Sequence, residues 1–270
     1  MKIRLVSMAF AARFFLWSTV SFAGEYEEGL TALNRGDYKT AVAMFTKAAN
    51  RGDAKAQNML GSAYYEGRGV SQDYKQAVSW YRKAADQGNA LAQYELGTMY
   101  YEGRGVPQDY KQALSWYRKA ADQGNTSAQN NLGLMYVDGQ GVPRDYRQAV
   151  AWWRKASDQG DAEAQFNLGR AYNTGQGVPQ DYKQAVSWHR KAAEQGLAQA
   201  QNSLGMAYAT GQGVPQDYIE AYKWLSVAAA YSTDKDVRDN ASTTRDILAK
   251  KMTAAQLAEA QKRAKEWKKK

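Results

Sequence analysis

Apolar residues between positions 53 and 232 recur with the spacing of amphipathic helices, and these helices come in pairs. In the stretch 89–124, Asn89 is a typical N-cap residue, and apolar residues follow it with helical spacing. Residues 102–107 contain two glycines and a proline, which end this helix. Asp109 then begins an Asp-x-x-Gln capping box, which marks the start of a second helix. The pattern therefore predicts a helix-turn-helix unit.

The same pattern recurs at an interval of 36 residues, with Leu-Gly in the first helix, Gly-x-Gly-Val in the turn and Trp in the second helix. A fixed period of this size is typical of a solenoid, in which each unit buries its apolar face against its neighbours. We therefore expect an all-α solenoid of helix-turn-helix repeats. The predicted units are 53–88, 89–124, 125–160, 161–196 and 197–232.

The stretch from Ala92 to Tyr110 reads Ala-Gln-Tyr-Glu-Leu-Gly-Thr-Met-Tyr-Tyr-Glu-Gly-Arg-Gly-Val-Pro-Gln-Asp-Tyr, and Ala-x-x-Trp-Tyr-x-Lys-Ala-Ala-x-Gln-Gly follows it closely. Both segments resemble the Sel-one-like repeat, a longer-looped relative of the tetratricopeptide repeat, and the resemblance covers 53–232. Residues 24–52 have a shorter turn and resemble an ordinary tetratricopeptide hairpin. The resemblance implies a right-handed α/α superhelix whose concave groove binds a protein or peptide.

Members of this family are adaptors in envelope assembly, signalling, host-cell contact and protein quality control. One cysteine-rich branch is associated with β-lactam binding or hydrolysis, but this chain contains no cysteine. The resemblance therefore implies a non-catalytic scaffold for protein–protein interactions. The alternative is a periplasmic hydrolase of the cysteine-rich type, acting on β-lactams or cell-wall compounds.

Residues 1–23 have the three-part pattern of a cleaved secretory signal peptide. Positive residues come first, positions 14–22 are apolar, and the small residues Ser21 and Ala23 precede a cleavage point before Gly24. We therefore expect an exported protein, periplasmic or secreted, with no membrane span in the mature chain.

Two alternatives concern the same segment. Arg13 interrupts the apolar run, and a start at Met8 instead of Met1 would make Arg13 the leading positive charge. The segment could also be an uncleaved anchor or a buried helix. Its apolar run is much shorter than the ~20 residues that span a bilayer, which favours cleavage.

The net charge of +9 is concentrated at the two ends of the chain. Three basic residues lie in the first twenty positions, and the stretch from Arg245 to Lys270 contains nine basic and three acidic residues. The body is therefore close to neutral, whereas a nucleic-acid-binding domain needs a basic face on its body. We expect no nucleic-acid partner. The basic C-terminal tail is either a solvated helix end or a contact with an anionic envelope surface.

Residue types that catalyse reactions or bind metals are scarce. The one histidine, His189, shares its repeat position with Tyr81, Tyr117, Trp153 and Leu225. A position that also accepts leucine is a packing position, and no second histidine or cysteine could complete a ligand set. The Gly-x-Gly motifs follow helices, whereas a phosphate-binding loop follows a strand. We predict no enzyme activity, no cofactor and no metal site.

The repeats separate fixed positions from variable ones in the first helix of each unit. Counted from the start of each unit, positions 4, 5, 8, 9, 12 and 15 are nearly fixed, and positions 3, 6, 7, 10, 13 and 14 vary. At about 100° per residue the two sets lie on opposite faces, so we expect the variable face to line the groove. Its aromatic and amide side chains favour partner binding over an idle solvated surface. The predicted binding residues are Asn58, Tyr65, Tyr94, Thr98, Tyr101, Asn130, Asn131, Leu134, Phe166, Asn167, Arg170, Asn202 and Met206.

Residues 233–270 are predicted to form a helical cap with a basic tail. One helix covers 234–251, and Thr253 begins a second capping box. An apolar stripe on the last helix is expected to cover the exposed end of the final repeat, as terminal units of solenoids must. The stripe consists of Leu257, Ala260, Ala264 and Trp267.

Overall fold

The computed structural model describes residues 24–267, so the predicted signal peptide and the last three lysines lie outside the described residues. All regular structure in this range is α-helical, and the predicted all-α fold of helix-turn-helix repeats is confirmed. The helices are α1 (24–34), α2 (Tyr38–Asn50), α3 (Ala54–Glu66), α4 (Tyr74–Asp86), α5 (Ala90–Glu102), α6 (Tyr110–Asp122), α7 (Thr126–Asp138), α8 (Tyr146–Asp158), α9 (Ala162–Thr174), α10 (Tyr182–Glu194), α11 (Ala198–Thr210), α12 (Tyr218–Tyr231), α13 (Lys235–Ala249) and α14 (Ala254–Glu266).

The chain divides into two compact units between Asn125 and Thr126. The N-terminal unit contains α1–α6, and the C-terminal unit contains α7–α14. Within each unit the two helices of a repeat pack together, and the second helix also packs on the first helix of the next repeat. Repeat positions are therefore directly comparable between the two units.

The helix starts follow the predicted caps, with one difference. Asn89 caps α5 by accepting a hydrogen bond from a first-turn N–H at 2.9 Å, and Asp109 caps α6 by accepting from the N–H groups two and three residues later. The second half of the predicted capping box at Asp109 is wrong, because the Asp109 N–H already donates to the Tyr100 carbonyl at 2.9 Å. A complete capping box forms at Thr253. The Asp109 N–H thus joins the two helices of a repeat instead of closing a box.

The two glycines of each turn have different structural roles. Gly103 ends α5 in the left-handed conformation, with φ of 71°. Gly105 also has a positive φ, and a Cβ there would lie 2.4 Å from the Tyr74 carbonyl oxygen at the start of α4. The turn of one repeat therefore packs on the second helix of the preceding repeat, and only glycine allows this approach. In the C-terminal unit the same distance is 2.2 Å for Gly177 and Tyr146, and 2.3 Å for Gly213 and Tyr182.

A third glycine recurs at repeat position 9, in the first helix of each unit. It lets the side chain at repeat position 29, in the second helix, lie directly on the first helix. A Cβ on Gly97 would lie 2.7 Å from the Tyr117 ring, and one on Gly133 would lie 2.3 Å from the Trp153 ring. His189 lies over Gly169 in the same way and is 5% exposed. The prediction that His189 occupies a packing position is therefore confirmed.

Buried glutamines at repeat position 5 link the repeats. Gln93 donates from Nε2 to the Ala85 carbonyl at 3.1 Å, and its Oε1 accepts from Gln123 Nε2 at 2.7 Å. The final repeat breaks this pattern, because Tyr231 replaces the second glutamine and Gln201 Oε1 is buried without a hydrogen-bond partner. These bonds satisfy amides that would otherwise be costly to bury.

The last helix covers the final repeat. Ala260 of α14 is fully buried, and the Trp267 ring lies 6.4 Å from the Trp224 ring and 5.6 Å from the Tyr231 ring. Arg263 also forms an ion pair with Glu220 of α12 at 3.0 Å. This packing is the one that the apolar stripe on α14 predicts.

Candidate protein-binding face

The predicted tyrosines of the N-terminal unit are half-buried, and each packs on a tyrosine of a second helix. The ring centroids are 5.4 Å apart for Tyr65 and Tyr74, 5.6 Å for Tyr94 and Tyr117, and 5.3 Å for Tyr101 and Tyr110. Thr98 Oγ1 lies 3.1 Å from the Tyr117 hydroxyl. The expectation that variable side chains point away from the packed faces is therefore wrong for these residues, whose outer edges alone can meet a partner.

Two predicted asparagines are buried. Asn58 is 9% exposed and Asn167 is 6% exposed, and Asn167 Nδ2 donates to Asn130 Oδ1 at 3.0 Å. The expectation that Asn58 and Asn167 are accessible to a partner is wrong, because helix packing covers both. The variation at these positions reflects packing between neighbouring repeats.

The accessible part of the predicted set lies mainly in the C-terminal unit. Leu134 is 37% exposed and Met206 is 38% exposed, and Arg170 is also exposed. Asn131 and Asn202 are partly exposed. Exposed apolar side chains beside a cation and amides are typical of a surface that binds a partner.

An acidic group in the N-terminal unit lies on the variable face that the sequence assigns to the groove, although it is not among the predicted binding residues. Glu95 lies at variable position 7, and burial raises the pKa of its carboxyl, with further contributions from the charges of Glu102 and Glu66. Glu66 and Glu102 are each paired with an arginine, at 2.7 Å and 2.9 Å. No ion pair of Glu95 occurs within the described residues. The available signal was a single charge at a position where the other repeats have neutral residues.

The C-terminal unit contains a cavity of about 370 Å³ between α9, α10 and α11. Three predicted residues, Phe166, Arg170 and Asn202, lie at this cavity together with Met206 and the unpredicted His189. The Phe166 ring centroid is 5.5 Å from the His189 ring, and the Arg170 guanidinium is 5.9 Å from the Phe166 centroid. None of the described residues that line the cavity is acidic. We call this cavity the α9–α11 pocket.

Two residues that line the α9–α11 pocket carry acceptor atoms that are buried against the protein. His189 Nε2 and Asn202 Oδ1 are both buried and have no hydrogen-bond partner in the described structure. Burial lowers the pKa of His189 to about 4, with a smaller contribution from Arg170, so the imidazole is neutral at pH 7. The ring is also hydrogen-bonded to the Phe166 backbone, and this bond uses the other ring nitrogen. Nε2 of the neutral ring is therefore a lone-pair acceptor.

The sequence identified His189 as a packing residue and did not indicate that it borders the α9–α11 pocket. Asn173 and Ser203 also line the pocket, at variable positions 13 and 7 that the sequence assigns to the groove, although neither is in the list of predicted binding residues. The signal that could have found them is a loss of side-chain volume at several positions of one pair of repeats.

Two other kinds of site are absent from residues 24–267. No group of three or more His, Cys, Asp or Glu side chains there is arranged to hold a metal ion. None of the helices in that range is long and apolar enough to cross a membrane.

The basic tail is partly engaged in packing. Arg263 is paired with Glu220 at 3.0 Å and with Glu259 at 2.7 Å. Lys262 and Lys265 are exposed, and the final lysines lie outside the described residues.

The fold and its variable face define a solenoid protein in which each repeat consists of two helices joined by a turn. The chain belongs to the Sel1 repeat family, whose family model matches six segments: 22–53, 54–89, 90–125, 126–161, 162–197 and 198–230. The first segment includes residues 24–52, which the sequence analysis compared with an ordinary tetratricopeptide hairpin and which the Sel1 family model also matches. Sel1 repeat proteins generally mediate protein–protein interactions, and their scaffold is typically non-catalytic.

The chain is similar to solved structures of other repeat proteins. The chain is 33% identical to a Sel1 repeat protein from Oxalobacter formigenes, with a TM-score of 0.72 over 77% of this chain and 86% of that chain. It is 32% identical to c5321, a protective antigen of uropathogenic Escherichia coli with an SLR fold, with a TM-score of 0.43 over 91% of this chain and 68% of that chain. No curated protein matches the chain.

Proposed function

We propose that this protein is an exported, non-catalytic scaffold that binds a protein or peptide on the variable face of its repeats. One observation supports this most strongly. The repeat frame is maintained by glycine, glutamine and alanine contacts, while the variable face carries exposed Leu134, Met206 and Arg170 and the α9–α11 pocket. Methionine, arginine and aromatic side chains, which this face combines, are enriched at protein–protein interfaces.

The chemistry of the pocket also supports a binding role. His189 is neutral, and it contacts Phe166 and Gly169. No acidic residue among those described at the pocket could orient the imidazole as a base. Ser203 and His189 both line the pocket, but a pKa of about 4 and a buried Nε2 make this imidazole a poor general base, so the pocket favours recognition over hydrolysis.

Export and surface contact are further parts of the proposal. The N-terminal pattern of residues 1–23 supports cleavage before Gly24 and a periplasmic or secreted location. Exposed Lys262 and Lys265 beside the terminal lysines support contact with an anionic envelope surface. N-terminal sequencing of exported protein tests the first part, and a mature chain that begins at Met1 would exclude it.

The binding role is tested by partner capture from an envelope extract with the immobilised chain from Gly24. Leu134→Glu with Met206→Glu places charges on the exposed apolar side chains of the variable face and should remove capture with little change in melting temperature. The matched control is Ile247→Glu, because Ile247 is 50% exposed on α13, outside the repeats. Equal capture by both variants would exclude the variable face as the binding surface.

Turnover of nitrocefin tests the alternative hydrolase function. The scaffold should show no turnover above that of a matched preparation without the protein. Activity that copurifies with the chain and is lost in His189→Tyr would establish the α9–α11 pocket as an active site.

A further inference from the structure

The last repeat differs from the other four at the end of its second helix. In those repeats a glutamine at repeat position 35 donates from Nε2 to the buried glutamine at position 5, as Gln123 does to Gln93. In the last repeat Tyr231 stands at position 35, and Gln201 Oε1 is buried without a hydrogen-bond partner. A buried acceptor without a donor costs stability. The last repeat therefore lacks a link that the other four repeats retain.

Packing of the new side chain does not offset this loss. Tyr231 is 64% exposed, more than any other large apolar side chain of residues 24–267. Its ring lies 5.6 Å from the ring of Trp267, which is itself partly exposed and also packs on the buried Trp224. The last repeat thus presents an aromatic pair, Tyr231 and Trp267, at the surface. A largely exposed tyrosine in place of a linking glutamine indicates a role outside the fold.

The charge next to the aromatic pair is strongly positive. The stretch 262–270 contains six basic residues and one acidic residue, and three of the lysines follow Trp267 directly in the sequence. Lys265 is exposed in the last turn of α14 before Trp267. Arg263 is paired with Glu220 and Glu259, whereas no ion pair holds Lys265 within residues 24–267. This excess of positive charge favours an anionic partner.

The combination of aromatic rings and lysines restricts the kind of anionic partner. Tyrosine and tryptophan join an apolar ring to a polar group, and both are enriched at the level of lipid headgroups. Lysines beside them are attracted by the negative surface potential of anionic lipids. A soluble polyphosphate would attract the lysines but would offer no apolar boundary for the exposed ring. A lipid surface therefore fits both halves of the patch.

We propose that Tyr231, Trp267 and the C-terminal lysines bind the surface of an anionic lipid bilayer. The Tyr231 ring lies at the level of the headgroups, and the lysine ammonium groups bind lipid phosphates. This inference rests on the surface contact in the proposed function and specifies that surface as lipid.

Cosedimentation of the chain from Gly24 with vesicles tests the inference. The chain should bind vesicles of phosphatidylcholine that contain phosphatidylglycerol, and the binding should weaken as sodium chloride is added. Binding to phosphatidylcholine alone should be much weaker. Replacing Lys268, Lys269 and Lys270 with glutamine should weaken binding by about a hundredfold at low salt. The matched control Lys75→Gln with Lys111→Gln and Lys183→Gln removes three exposed cations of the second helices and should change binding little.

Tyr231→Gln separates a lipid contact from a structural role. It restores the residue that the other four repeats have at position 35, so Gln201 regains a donor and the melting temperature should rise. Vesicle binding should nevertheless weaken several-fold. Tyr231→Trp retains an aromatic ring and should bind vesicles at least as tightly as wild type. A tyrosine that only fastens the cap would give a lower melting temperature and unchanged binding in Tyr231→Gln.

Single cysteines locate the contact, because the chain has no cysteine of its own. A polarity-sensitive fluorophore on Lys265→Cys should shift to the blue when anionic vesicles are added. The same fluorophore on Lys183→Cys of α10 should not shift.

Three results would overturn the inference. These are equal binding to both kinds of vesicle, undiminished binding by Tyr231→Gln, and no fluorescence shift at position 265. Binding to soluble heparin without binding to vesicles would assign the lysines to a soluble polyanion instead. Vesicle binding that requires the lysines but not Tyr231 would leave the proposed surface contact intact and exclude the aromatic lipid contact. Partner capture by the variable face is a separate readout, because its variants Leu134→Glu and Met206→Glu lie outside this patch.

Discussion

Repeat position 29 holds Tyr81 in the N-terminal unit and His189 in the C-terminal unit, and each side chain lies over a glycine of the first helix. Around Tyr81, further tyrosines fill the neighbouring space and Glu95 adds a half-buried carboxyl. Around His189, Asn202 and Ser203 are smaller than Tyr94 and Glu95 of the N-terminal unit, and a cavity with Arg170 beside it lies there. The difference shows that one set of residues maintains the frame while another set changes the volume and charge of the surface.

Substitution of the glycine at repeat position 9 should destabilise both units equally. Gly97→Leu and Gly133→Leu each place a side chain where even a Cβ would lie within 2.7 Å and 2.3 Å of an aromatic ring. Each substitution should lower the free energy of unfolding by about 3 kcal/mol, at the upper end of overpacking costs. Urea unfolding followed by circular dichroism measures this cost.

The residues at which amide exchange accelerates after these substitutions provide a second test. Contacts run between neighbouring repeats, so amide exchange should accelerate near the substituted repeat and stay slow at the far end of its unit. Uniform acceleration along the whole chain, or a large cost in one unit alone, would contradict a shared and locally coupled frame.

Acid should weaken the C-terminal unit through His189. Burial lowers the pKa of its imidazole from 6.5 to about 4, so between these values the unfolded chain binds a proton that the folded chain does not. The free energy of unfolding should therefore fall as the pH drops from about 6.5 towards 4, by up to about 3 kcal/mol, and this contribution should be constant below pH 4.

The variant His189→Tyr isolates this effect from the carboxylates that titrate in the same range. Its stability should fall less than that of wild type between pH 6.5 and 4, as measured by urea unfolding at matched pH values. Identical pH profiles for the two proteins would show that His189 is not held neutral by burial.

The N-terminal unit should respond to pH in the opposite sense at Glu95. Burial and the neighbouring Glu102 and Glu66 raise the pKa of this carboxyl, so its ionised form is unfavourable in the folded chain at pH 7. Glu95→Gln should therefore stabilise the protein at pH 7 by about 1 kcal/mol or less. The gain should shrink as the pH falls and Glu95 becomes protonated in the folded chain. A melting temperature lowered by Glu95→Gln at pH 7 would instead show that the carboxylate has a favourable partner.

Much of the frame could be predicted from the sequence, because its chemistry is repeated. The period of 36 residues locates the helices, Asp109 and its equivalents mark the second helices, and the glycine at position 9 marks the close helix contact. The hydrogen-bond acceptor of the Asp109 N–H could not be predicted, because the Tyr100 carbonyl comes within 2.9 Å of it only in the folded repeat.

The candidate site could be predicted only in part. Helical periodicity assigned Tyr94, Phe166 and Asn167 to the variable face, and the structure places all three against side chains of neighbouring helices or repeats. Variation at a repeat position signals either solvent exposure or packing against a partner that also varies, and one sequence does not separate these cases. The α9–α11 pocket depends on side-chain volumes summed over three helices, which no single position reveals.

Photo-crosslinking tests the central claim most directly, that the variable face of the repeats binds the partner. A photoreactive phenylalanine derivative replaces Met206 on the variable face, Ile247 on α13 or Lys265 in the basic tail, and each chain is irradiated in the envelope extract. All three positions are exposed, so they have equal access to proteins in solution. We expect a discrete protein adduct from position 206 and none from positions 247 and 265. Adducts from position 265 or 247 without any from position 206 would contradict the account and assign binding to the C-terminal cap.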